Sequence, residues 1–145
     1  MPVIVNNTLD LQSIQCHMIG LERLINMCYT SRMHRPSWYV PREIKLTGTR
    51  IDLEYLGSYY YNGCDHDVDT ADIEFKGCLL LGHVLVCSQK FSWCVIDGKP
   101  AIVRDNRFCV LDSRVVRFQF PIEMLEGEDP HFAYYLVRAY EVLSY

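Results

Sequence analysis

Leu11, Ile14, Met18, Leu21, Ile25 and Cys28 step along the chain by three and four residues. That spacing gathers side chains on one face of a helix and predicts a helix of roughly five turns. Asn7 or Thr8 can cap its first N–H groups, and Asp10 sets negative charge at the positive end of its dipole. A second stripe, Phe132, Tyr135, Leu136, Ala139, Val142 and Leu143, predicts a helix near the other end. Asp129 is its expected N-cap, and Pro130 suits a first helical position, where a missing N–H costs nothing.

Between these stripes the period shortens to two. Ile44 and Leu46, then Ile51, Leu53 and Tyr55, alternate with Arg50, Asp52 and Glu54, the pattern of a half-buried strand. Tyr59 to Tyr61 extends it into Asn62-Gly63, a turn dipeptide. Further strands are expected at Ile73 to Lys76, Leu79 to Cys87, Phe91 to Ile96, Ala101 to Val103, Phe108 to Leu111 and Val115 to Phe120. Asp97-Gly98 and Asp105-Asn106 supply turns between them. Connections this short leave no room for crossover helices, so the pairing should be antiparallel. The expectation is an α+β fold: an N-terminal amphipathic helix, an antiparallel sheet of about five to seven strands, and a C-terminal helix. Residues 1–145 should form a single globular domain, since that length is usual for one.

Composition narrows the function classes. Half of the residues are hydrophobic and the formal charge is −4, which suits a globular chain and argues against a general nucleic-acid coat. No apolar run approaches the ~18 residues of a membrane span, and the first residues lack the basic and apolar regions of a signal peptide. A cytoplasmic or nuclear protein is expected, with no membrane partner and its seven cysteines reduced. Scarce lysine, rare alanine and ten tyrosines suggest an unusual genome, of viral type.

Three segments could carry chemistry. Asp65, Asp67 and Asp69 open like a calcium loop, but Thr70 stands where the turning Gly belongs and Lys76 where the bidentate Glu belongs. Glu74-Phe75-Lys76 resembles the D…(D/E)-x-K signature of metal-dependent nucleases of the restriction-endonuclease type. The resemblance implies Mg²⁺ held by Glu74 with Asp52, Asp67 or Asp69, Glu22 as an auxiliary ligand and Lys76 beside the attacking water. A solvated acidic hairpin tip accounts for the same residues. Cys64 with His66, completed by Cys78, Cys87 or Cys94, would be the zinc alternative, although no C-x-x-C pair exists. His83 falls within an apolar run and reads as a structural histidine.

The third segment, residues 32–45, mixes Arg32, Arg35, Arg42 and Lys45 with Trp38 and Tyr39. Arg, Trp and Tyr dominate protein-binding hot spots, and the same mixture pairs with phosphates and stacks on unpaired bases. No P-loop, G-x-G-x-x-G or G-x-S-x-G is present. The sequence therefore favours a small non-enzymatic regulator or antagonist, of viral accessory type, that binds another macromolecule, foremost a protein. Arg35, Trp38, Tyr39, Arg42 and Tyr60 are its expected binding residues, without a cofactor. A metal-dependent nuclease centred on Asp67, Asp69 and Glu74, a zinc-organised nucleic-acid- or protein-binding module, and a homodimer formed through the first helical stripe are the alternatives.

Overall fold

The segment expected to form two strands, 73–76 and 79–87, is one helix. It forms the centre of the protein in a computed structural model that describes residues 11–32, 45–61, 70–122 and 131–145. The element order is α1 (Leu11–Arg32), α2 (Arg50–Tyr61), α3 (Thr70–Gln89), β1 (Ser92–Ile96), β2 (Lys99–Arg104), β3 (Arg107–Val110), α4 (Ser113–Gln119) and α5 (Phe132–Leu143). The fold is mixed α+β. Its described sheet has three strands rather than five to seven, in the order β1-β2-β3, all antiparallel.

Helix α3 is enclosed by α1, α2, α4, α5, β1 and β2. Residues 77–82 are all buried in succession, so the apolar surface runs around the helix instead of along one stripe. A helix buried on every side has no amphipathic period to display. Gly82 allows the closest approach: a Cβ there would lie 2.6 Å from Leu111 Cδ1 and 2.6 Å from the Trp93 ring. The absent side chain lets the hairpin pack directly on the helix.

Helix α1 follows its stripe, with Ile14, Met18, Leu21 and Ile25 buried. In α5, Phe132, Leu136, Ala139 and Leu143 are buried, Tyr135 is half-buried and Val142 is exposed. That helix starts at Phe132 with His131 as N-cap, and His131 makes no side-chain capping bond. Asp129 and Pro130 lie outside the described residues.

Residues 51–55 belong to α2, not to a strand. Asp52, expected on the wet face, is fully buried. Its Oδ1 accepts the Thr47 N–H at 2.8 Å and the Thr47 hydroxyl at 3.1 Å, and its Oδ2 accepts the Gly48 N–H at 2.7 Å. An acidic residue in the first turn reaching back to N–H groups before the helix is the logic of a capping box. The preceding segment is also tied to α1, where Glu22 Oε2 accepts the Leu46 N–H at 2.8 Å. Leu53 and Leu56, three apart, supply the buried face.

Strands β1 to β3 match expectation because their turns are explicit. Asp97 and Gly98 both take left-handed φ, 50° and 77°, and join β1 to β2 with Ile96 opposite Lys99. Positive φ at both central residues suits the twist of a two-residue hairpin. Asp105, at φ 54°, opens the second turn, with Arg104 opposite Arg107. Residues 115–120 were a further expected strand, but α4 occupies 113–119. Asp112 caps it by accepting the Arg114 N–H at 2.9 Å.

One side chain ties these layers together. Arg104 on β2 donates to the Gln89 carbonyl at 2.8 Å, the Leu143 carbonyl at 3.0 Å and the Tyr145 main-chain oxygen at 3.3 Å. Its guanidinium also lies 4.6 Å from the Phe91 ring centroid. Gln89 ends α3 and Leu143 ends α5, so a single cation satisfies the negative ends of two helix dipoles.

Candidate functional site

The residues that the sequence singled out are divided by the structure. Arg35, Trp38, Tyr39, Arg42, Asp67 and Asp69 lie outside the described residues. Tyr60 falls on α2 rather than on a strand, and Glu74 falls on α3 rather than at a strand start.

The nuclease grouping loses its described members to other partners. Glu74 pairs with Arg117 and Lys76 with Asp72, the latter at 2.9 Å. Both oxygens of Asp52 serve the start of α2, and Glu22 serves Leu46. The zinc alternative loses two thiols. Cys78 and Cys94 are buried, and burial pushes both thiols up from their ordinary value. Buried Cys109 is likewise pushed up to about 12. Such thiols resist forming the thiolate that binds metal or attacks a substrate. Among the described residues, no three His, Cys, Asp or Glu side chains could hold a metal ion together.

One cleft, of about 240 Å³, opens between the start of α3 and the hairpin, lined by Phe75, Lys99, Pro100, Leu111 and Asp112. It is smaller than the ~300 Å³ at which ordinary ligand pockets begin. Its charges are also paired, since Lys99 donates to Asp112 at 3.2 Å. Burial alone would push the Asp112 carboxyl up. The Lys99 hydrogen bond and the N–H groups of Arg114 and Val115 outweigh that and hold it below its ordinary value. The cleft is thereby stabilised as structure.

The unusual surface is on α4 and α5. Val116 and Phe120, four apart, point into the core, which turns Phe118 outward. Its side chain is 89% exposed. Arg114 stands one turn before it and is exposed too. On α5, Tyr134 is 56% exposed, and the exposed Arg138 follows one turn later. Each helix therefore shows solvent an Arg and an aromatic four residues apart, the spacing that places side chains side by side.

Arg117 locks the two helices in register. Its guanidinium sits 4.9 Å from the Phe132 ring centroid and 5.6 Å from that of Tyr135, with Glu74 of α3 as its carboxylate partner. His131 stacks on Tyr134 with centroids 6.0 Å apart. Tyr134, stacked in this way, loses little freedom when a partner covers it. The strand reading of 115–120 hid this site, because on a strand Val116, Phe118 and Phe120 share one face.

Beside known proteins, no family model, curated protein or solved structure matches the chain. No helix among the described residues is long and apolar enough to cross a membrane.

Proposed function

We propose that this protein is a non-enzymatic regulator that acts by binding another protein, and that the outer faces of α4 and α5 form part of the contact. The observation carrying the reading is Phe118, a large apolar ring set almost wholly in water on a helix whose Val116 is buried and whose Val115 is half-buried. Burying such a ring against a partner is worth about 1.5–3 kcal/mol. Arg114, Tyr134 and Arg138 supply the residue types that concentrate binding energy at interfaces. The segment 32–45 adds the same chemistry and belongs to the proposed contact as its second part. A nucleic-acid partner is less favoured, because the chain carries a net charge of −4.

The test is affinity capture from the cells in which the protein is made, comparing the wild type with Phe118→Ala/Tyr134→Ala and Arg35→Ala/Trp38→Ala. The α4–α5 pair should lose the partner recovered with the wild type while melting at the same temperature. Loss with the Arg35/Trp38 pair alone would point to the segment 32–45 as the contact. Full retention by both pairs would contradict the proposal.

A further inference from the structure

No further inference is drawn: the strongest candidate, the side-chain cluster of His83 and exposed Cys87 on the last turns of α3, with the sulfur 3.8 Å from Nδ1 and 3.9 Å from Nε2, offers only two donors, no third metal-ligating side chain joins them among the described residues, and nothing in the structure shows what would complete the site.

Discussion

Leu81 on α3 and Phe118 on α4 occupy helices that pack on each other, yet one side chain is fully enclosed and the other stands nine-tenths in water. Residues 77–82 of helix α3 are buried in succession, so the apolar residues there contribute to stability. Helix α4 and its C-cap bury Val116 and Phe120 in the core, leave Val115 half-buried and turn Phe118 away. An apolar residue on a short helix is therefore no guide to its role until the neighbours are known. The contrast separates the part of the molecule that holds the fold from the exposed part that the proposed contact would use.

The largest effect should come from Leu81→Ala, which leaves a cavity where no neighbour can readily collapse. It should cost about 2–5 kcal/mol in urea unfolding. Phe118→Ala should change stability by no more than about 0.5 kcal/mol, as a surface substitution does. Comparable losses for the two would break the comparison.

Next comes Asp52→Ala. It orphans the N–H group of Gly48 in a buried place, at a cost of about 1–3 kcal/mol, and that of Thr47 in a half-buried one. A lowered urea midpoint with an unchanged slope is expected, and Asp52→Asn should recover part of it. An unchanged midpoint would mean that the α2 start is held by packing alone.

Arg104→Met sharpens the comparison at the ends of two helices. It removes the cation shared by the ends of α3 and α5, and a charge at a helix terminus is worth about 1–2 kcal/mol when partly buried. Hydrogen exchange should speed up at the last turns of both helices. Acceleration confined to one would show that the second contact contributes nothing.

The smallest effect is acid dependence at α4. The Asp112 carboxyl is held below its ordinary value in the folded protein. Its contribution is present at neutral pH and fades as the pH falls through that lowered value. Asp112→Asn should flatten the acid limb of the stability curve slightly. A steeper limb would contradict the sign.

Helices α1 and α5 and strands β1 to β3 were legible because each shows its signal in the chain itself. The first two have one apolar stripe, and the strands have Asp97-Gly98 and Asp105-Asn106 between them. Helix α3 was not legible, because burial of 77–82 in succession erases periodicity and leaves an apolar run of the length of a strand. In α2 the alternation at 51, 53 and 55 covers too few residues to separate the two periods. The buried positions are 52, 53 and 56, which only a helix places together.

The candidate residues were hidden by the same error. Read as a strand, His83 and Cys87 would stand ~13 Å apart, and Phe118 would share a face with Val116 and Phe120. Folded as helices, the first pair meets and the last residue is turned out. The turn chemistry around Thr47 and Gly48 depends on Asp52 being buried, which its position between Ile51 and Leu53 does not reveal.

The most direct test of the binding surface is amide hydrogen exchange on the protein alone and in complex with its captured partner. The account predicts slowed exchange in residues 113–122 and at the start of α5 around Tyr134, with residues 77–82 of α3 unchanged because they are already buried. Exchange that stays the same across α4 and α5 in a complex shown to be fully formed would contradict it.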